Sequence, residues 1–257
     1  MADQRAKISR VSDKPIDLLD VYSRLRRAQG VQNWWPGTTS FEVVVGCILT
    51  QNTNWVNVRK AIAALSREGL MCPDLILDTN IDVLTELTRP AGFCTQKPFR
   101  LKTISHWWKS YFGNNSMPLT GVIESRWGEV AGLIRIPSPP LIERDIEDLR
   151  LELDALSGVG PETADAIILY AVGLPSFVVD AYTRRVFSRL GIVSENVGYE
   201  ELRSLFQPSL PKDVALFNDF HAQITTLAKT HCLKTPICKG CPLSSICEHS
   251  ITLLRDS

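Results

Sequence analysis

No stretch of this chain is apolar for the roughly 20 residues that a bilayer crossing takes. The opening residues, Met1-Ala-Asp-Gln-Arg-Ala-Lys, are polar, with no apolar h-region behind them. A membrane span and a secretory signal are therefore not expected, and a soluble protein of a reducing cytoplasm is. Net charge is also missing: 28 Lys and Arg balance 28 Asp and Glu. Bulk charge thus gives no argument for a polyanionic partner. There is no internal repeat, and period-two alternation of the kind strands need is scarce. With 44% hydrophobic and 22% charged residues over 257 positions, the chain is globular and long enough to bury a real core.

Cysteine is concentrated. Four of the seven fall within sixteen residues as Cys232-x5-Cys238-x2-Cys241-x5-Cys247. Four thiolates so close suit the Cys₄ ligation of a [4Fe–4S] cluster. A structural zinc more often uses two CxxC pairs, and here there is one. Paired disulfides need an oxidising compartment. The spacing favours the cluster and leaves the other two open. Cys47, Cys72 and Cys94 stand alone and read as free core thiols.

Charge is unevenly spread. From Leu87 to Ile123 there is no Asp or Glu, yet Arg89, Lys97, Arg100, Lys102, Lys109 and His106 occur there. Arg184, Arg185 and Arg189 form a second basic group, whereas six acids lie between Glu143 and Asp154. This permits a phosphate-tracking face, although ordinary solvated helix surface explains it slightly better.

Helical periodicity dominates. It runs over Ser40–Thr50, with Ser40 a plausible N-cap, and from Val56 to a stop at Gly69. It recurs at Ile81–Thr88, Gln96–Phe112, Ile123–Ile134, Ile146–Leu156, Pro161–Val172, Asp180–Leu190, Glu200–Leu205 and Asp213–Lys229. Pro137–Pro140 and Pro208–Pro211 read as connectors. The expected fold class is all-α.

Two of these helices are joined by Leu156-Ser-Gly-Val-Gly-Pro-Glu-Thr. Gly158 and Gly160 can take positive φ, Val159 can plug into the core, and Pro161 suits the first helical position. Backbone N–H groups facing outward from such a turn can hold a phosphate without reading bases; a plain tight turn explains the motif equally well. Soon after, Phe177-Val-Val-Asp180 brings one carboxylate to the start of a helix. It is either a simple N-cap or a carboxylate that stabilises an oxocarbenium-like transition state and activates water.

Hairpin, aspartate and cysteine run, in this order, resemble the helix-hairpin-helix DNA glycosylase superfamily, of the endonuclease III type with an iron–sulfur cluster, from about Asn33 to Cys247. The resemblance implies two helical domains: a six-helix barrel carrying the hairpin (32–174) and a discontinuous iron–sulfur domain (1–31 and 175–257). It implies a monomer acting on double-stranded DNA in the nucleoid, with a damaged base flipped into the cleft between the domains. Gly158 and Gly160 match the DNA-binding hairpin glycines and Asp180 the catalytic aspartate. Cys232, Cys238, Cys241 and Cys247 match the cluster ligands, the first spacing being five residues where the best-known members have six. Gln51 matches the residue that fills the gap left by the flipped base. Bifunctional members carry a lysine two positions after the second glycine, whose amine forms a Schiff base with the sugar. Here that position is Glu162, so the resemblance is to monofunctional members that leave the abasic site uncut.

Asn33-Trp34-Trp35-Pro36, Trp55, Arg89-Pro-Ala-Gly-Phe93, Gln96-Lys97, Ala164-Asp-Ala-Ile and Phe220-His221 are most similar to the 3-methyladenine branch. That branch implies a pocket of Trp34, Trp35, Pro36 and Trp55 that stacks a cationic alkylpurine; core packing is the plainer reading of the tryptophans. The rival expectations are a glycosylase for uracil, mismatched thymine or oxidised bases, using Asn52 and Asn54, or a catalytically weak iron–sulfur DNA-binding protein. His221 and Lys229, two turns apart on one helix, could face the pocket or the surface. At most one of Trp107 and Trp108 can face DNA, because consecutive helical residues diverge by about 100°.

Overall fold

A computed structural model of the chain describes residues 16–116, 118–119, 121–124, 133–136 and 144–255. Twelve α-helices occur among them: α1 Leu18–Gln29, α2 Ser40–Thr50, α3 Trp55–Arg67, α4 Pro73–Asp78, α5 Ile81–Thr88, α6 Lys97–Phe112, α7 Ile146–Asp154, α8 Pro161–Ala166, α9 Ala181–Arg189, α10 Tyr199–Phe206, α11 Val214–Thr230 and α12 Glu248–Arg255. The expected all-α class stands, with one small addition. Gly121–Glu124 (β1) and Leu133–Ile136 (β2) pair as a two-stranded sheet. The helix expected over Ile123–Ile134 is therefore wrong at both ends, since its first and last residues lie in strands; its middle and Pro137–Pro140 lie outside the described residues. No helix among the described residues is long and apolar enough to cross a membrane.

Side chains that start helices explain most of the boundaries. Asp17, Thr39, Asn54, Asn80, Asp145, Asp180 and Asp213 each accept a first-turn backbone N–H of the helix that follows. Thr39, not Ser40, caps α2: its hydroxyl accepts from the Glu42 N–H at 3.2 Å, and Ser40 is already helical and buried.

Cα proximity divides the chain into two compact units. One comprises Met1–Trp34, Glu124–Ile134 and Phe177–Ser257; the other comprises Trp35–Ile123 and Arg135–Ser176. In the second unit α2 is apolar on every side, as a central helix must be, and packs on α3, α6 and the 167–172 segment. That segment continues α8 with wider, π-type turns up to Gly173 at φ 84°. Such turns recur at functional sites. The helices flanking the hairpin, α7 and α8, are tied by a buried fork: Arg150 Nε meets Asp165 Oδ1 at 2.8 Å and Nη2 meets Oδ2 at 3.2 Å. Trp107 and Trp108 both belong to this core, 5% and 0% exposed, so neither is placed to reach DNA. Their indole N–H groups donate to Glu152 Oε1 (3.0 Å) and Asn115 O (2.9 Å).

In the first unit α11 packs on α1 and α9 around a nest of phenylalanines. Phe177 stacks on Phe206 at 4.3 Å and meets Phe217 edge-on at 5.1 Å. These rings hold the segment that ends at Asp180.

Candidate active site

Asp180 is the N-cap of α9, and its two carboxylate oxygens have different surroundings. Oδ1 accepts from the Thr183 N–H at 2.7 Å and the Thr183 hydroxyl at 2.9 Å. Oδ2 faces His221 Nε2 of α11 at 3.7 Å. The residue is therefore not spent on capping alone. Burial pushes its pKa up, but the His221 contact and the Thr183 hydrogen bonds outweigh that and hold it below the usual carboxylate value. A carboxyl lowered on folding adds stability above its unfolded pKa and loses that stability as pH falls through its folded pKa. Asp180 is consequently anionic throughout the neutral range. His221 is one of two residues sequence reasoning left undecided, and the structure sets it on Asp180. The other, Lys229, is exposed and lies 5.5 Å from the Tyr182 ring centre, a ring that also stacks Arg185 at 5.1 Å.

The hairpin belongs to the other unit. Gly158 takes φ 84°, as expected of a glycine in a tight turn, and Val159 is 5% exposed. Gly160 differs from the expectation: its backbone is extended (φ −106°) and it serves as the α8 N-cap. A Cβ there would meet nothing within 4 Å, whereas one at Gly158 would fall 2.5 Å from the Arg100 side chain. Only Gly158 is required by the fold; Gly160 leaves open space beside the turn. The N–H groups of both glycines are without hydrogen-bond partners among the described residues. Gly158→Ala is expected to lower stability by about 1–3 kcal/mol, from positive φ plus overlap. Gly160→Ala is expected to change it by less than about 0.5 kcal/mol. Denaturant unfolding of the two variants checks the contrast.

Gln51, just past α2, lies against this turn. Its amide nitrogen donates to Gly158 O at 2.9 Å and Thr163 Oγ1 at 3.0 Å, and its oxygen accepts from Arg100 Nη1 at 2.6 Å. Glu162 is exposed in the first turn of α8, next in sequence to Thr163. Among the aromatics, Trp35 is 5% exposed and packed against Gly46. It meets half-buried Trp55 edge-on at 5.2 Å and Tyr170 at 5.5 Å. Tyr170 escaped sequence reading because nothing distinguished it within an apolar helical run. Pro36 is exposed and Trp34 half-buried, the latter grouped with the first unit.

Among the described residues only three non-glycines have positive φ: Asn33, Asn52 and Phe93. Each adjoins or lies within a segment singled out above. Asparagine tolerates this conformation; a bulky aromatic does so at a cost. Phe93 is also 48% exposed, with Lys97 Nζ 5.6 Å from its ring. Strain of this kind concentrates at functional sites.

The basic groups read from sequence are mostly engaged internally. Lys97 is wholly buried, Lys102 donates to Leu77 O at 2.7 Å, Lys109 pairs with Asp74 and Arg89 with Glu86. Arg185 donates to Cys232 O (2.8 Å) and Ala228 O (3.0 Å); Arg189 donates to Leu233 O (2.6 Å) and Lys234 O (2.8 Å).

The four clustered cysteines are free and half-buried. Arg189 Nη1 lies 3.3 Å from Cys232 Sγ. Burial pushes the Cys241 and Cys247 thiols up; N–H groups of Leu243 and Ser244 act against it at Cys241, and those of His249 and Ser250 at Cys247. Cys232 and Cys238 lie near enough to push the Cys241 thiol up by their charge, and Cys232 and Cys241 do the same at Cys247. Thiol donors ringed by N–H groups and a guanidinium suit an iron–sulfur cluster, whose charge is balanced by such hydrogen bonds. Among the described residues no three His, Cys, Asp or Glu are gathered as ligands of one metal ion.

Comparison with known proteins converges on one family. The family model of the HhH-GPD superfamily base excision DNA repair protein matches residues 45–212. A protein of Methanocaldococcus jannaschii, named as a candidate DNA repair glycosylase, is 42% identical over 227 residues, 88% of this chain and 94% of its own. Endonuclease III of Sulfolobus acidocaldarius is 25% identical over 217 residues, 84% and 85% of the two chains. Among solved structures, the H. pylori 3-methyladenine DNA glycosylase MagIII bound to 1,N6-ethenoadenine has a TM-score of 0.62 at 24% identity, covering 83% of this chain and 98% of that one. A trapped endonuclease III–DNA covalent intermediate has a TM-score of 0.68 at 19% identity, covering 93% and 96%. These two share the fold. The chain belongs to the HhH-GPD superfamily of base excision DNA repair proteins and is a DNA glycosylase.

Proposed function

We propose that this glycosylase is monofunctional: it hydrolyses the N-glycosidic bond of an alkylated purine in double-stranded DNA, 3-methyladenine being the leading base, and leaves the abasic site uncut. It acts as a monomer. The observation that carries this reading is Asp180, ionised, with one oxygen capping α9 and the other turned to His221. As the glycosidic bond breaks, positive charge grows on the sugar, and a fixed carboxylate stabilises it and orients the attacking water. Glu162 replaces the amine of bifunctional relatives, and a carboxylate forms no imine.

Gly158 and Gly160 offer their N–H groups to a phosphate, which fixes the strand without reading its sequence. Half-buried Trp55 supplies a ring face; Trp35, 5% exposed, packs against it and against Tyr170, 1% exposed, and Trp34 and Pro36 adjoin Trp35 in sequence. A cationic alkylpurine is attracted to such faces and is already a good leaving group. The uracil, thymine or oxidised-base reading relied on amides. Asn54 is occupied in capping α3, its side chain accepting from the Asn57 N–H at 3.0 Å, which leaves Asn52. Phe93, exposed on strained backbone, is suited to press against unstacked bases.

Cys232, Cys238, Cys241 and Cys247 would hold a [4Fe–4S] cluster, one thiolate per iron, supplying a rigid, charge-dense anchor for their loop. The purified protein should be yellow-brown, and Cys238→Ser should lose the visible absorption; a colourless protein carrying zinc would contradict this.

Free-base release from a panel of lesion duplexes tests the substrate. Release of 3-methyladenine from alkylated DNA, and none from uracil, mismatched or oxidised duplexes, is expected. The reverse pattern overturns the substrate assignment.

A further inference from the structure

We infer that Arg100 is a positioning residue for base extrusion: it holds Gln51 against the hairpin, so that the group filling the vacated stack is registered on the same turn that anchors the strand. The inference rests on the glycosylase reading above and concerns one unit only.

The geometry is specific. Both terminal nitrogens of the Arg100 guanidinium meet neutral amides, Nη1 donating to Gln51 Oε1 and Nη2 to Gln96 Oε1, each at 2.6 Å. Its Cγ, Cδ and Nε occupy the space that a Cβ of Gly158 would need, at 2.5–2.6 Å. Gly158 is therefore demanded twice, by its positive φ and by the arginine lying across it. Gln51 closes the loop: its oxygen faces Arg100, and its nitrogen reaches Gly158 O and Thr163 Oγ1. All three hydrogen bonds of this amide end on, or on the arginine packed against, the hairpin.

Among the basic residues of the acid-free stretch, Arg89 and Lys109 meet carboxylates and Lys97 and Lys102 meet carbonyls. Arg100 alone spends its charge on side-chain amides. A charge-assisted hydrogen bond is shorter and stronger than a neutral one. It suits a contact that must hold a flexible side chain in one rotamer while its neighbours bind DNA. Preorganisation of this kind lowers the cost of ordering Gln51 when the base leaves the stack.

The test uses the full-length protein and a duplex holding an alkylated adenine, with 2-aminopurine as its neighbour to report unstacking. Arg100→Gln should slow single-turnover base release and blunt the fluorescence rise by about ten- to hundredfold, the factor that one charge-assisted hydrogen bond represents. Binding to the duplex, and its dependence on salt, should stay as in the wild type. A fall of about one in the log–log salt slope would make Arg100 a phosphate contact and overturn the inference. So would wild-type release and fluorescence. Arg100→Lys keeps the charge but cannot clasp two amides at once; it should shift in the same direction, and it decides the matter if the glutamine variant unfolds. Gln51→Ala is run alongside. Full extrusion by that variant would sink the reading of Gln51 itself, independently of Arg100.

Discussion

Asp180→Asn is expected to lose about 10²- to 10⁴-fold in base release, the range for removing a positioned charged group, while DNA binding stays near wild type and stability falls only by what the ionised carboxylate adds at neutral pH. The variant is informative because asparagine caps helices about as well as aspartate. Its Oδ1 can still accept from the Thr183 N–H that Asp180 now holds at 2.7 Å. Fold and cap survive, and only the negative charge facing His221 at 3.7 Å is removed. A plain N-cap residue would tolerate the change, so unaltered single-turnover kinetics would return Asp180 to a structural role. The wild type should keep its rate down to pH values below the ordinary carboxylate range, because the pKa is lowered on folding. Should release fall off while carboxylates are still ionised, another group controls the step.

The second large effect lies deep in the same unit. Asp219 of α11 and Arg26 of α1 form an ion pair in which both side chains are 1% exposed. Asp219 also accepts from the Tyr22 hydroxyl at 2.9 Å, the Gln32 N–H at 3.3 Å and Gln223 Nε2 at 3.3 Å. Asp219→Ala strands a buried guanidinium and should cost about 3–5 kcal/mol. Replacing both partners by apolar residues of similar volume, Arg26→Met with Asp219→Leu, should recover only part of that: the charges no longer need desolvating, but the Tyr22 hydroxyl and the Gln32 N–H lose their acceptor. Denaturant unfolding of both variants measures it; a single-variant loss under about 1 kcal/mol would show that the site rehydrates.

How legible this was in the sequence depended on the physical signal involved. Spacing marked the cysteine run, the turn at Gly158 and the carboxylate at Asp180, because each depends on local chemistry. Helix periods marked most helices but passed over α1, α4 and α12. The last two are only six and eight residues long. The strands at 121–124 and 133–136 are four residues each, too short for a period to emerge. Partners were harder. Lys97 looked like one more surface cation, yet it is 0% exposed, with Nζ donating to Leu49 O at 2.8 Å and Ala91 O at 2.7 Å. Burial brings its pKa down to about 8. Gln51 is legible in the sequence, but its clasp by Arg100 is not, because their side chains meet across 49 residues of sequence. The Trp107-Trp108 pair stands beside basic residues in sequence, but Lys109 pairs with Asp74, Lys102 donates to the Leu77 carbonyl, and both indoles are core.

One product assay bears most directly on the absence of a lyase amine. A duplex with a single alkylated adenine is incubated with the protein, then run before and after alkali, with a parallel sample under borohydride. Intact strands that break only after alkali, and no borohydride-trapped adduct, are predicted from Glu162 at the position of the imine-forming lysine. Nicks without alkali, or a covalent protein–DNA species, would contradict the account.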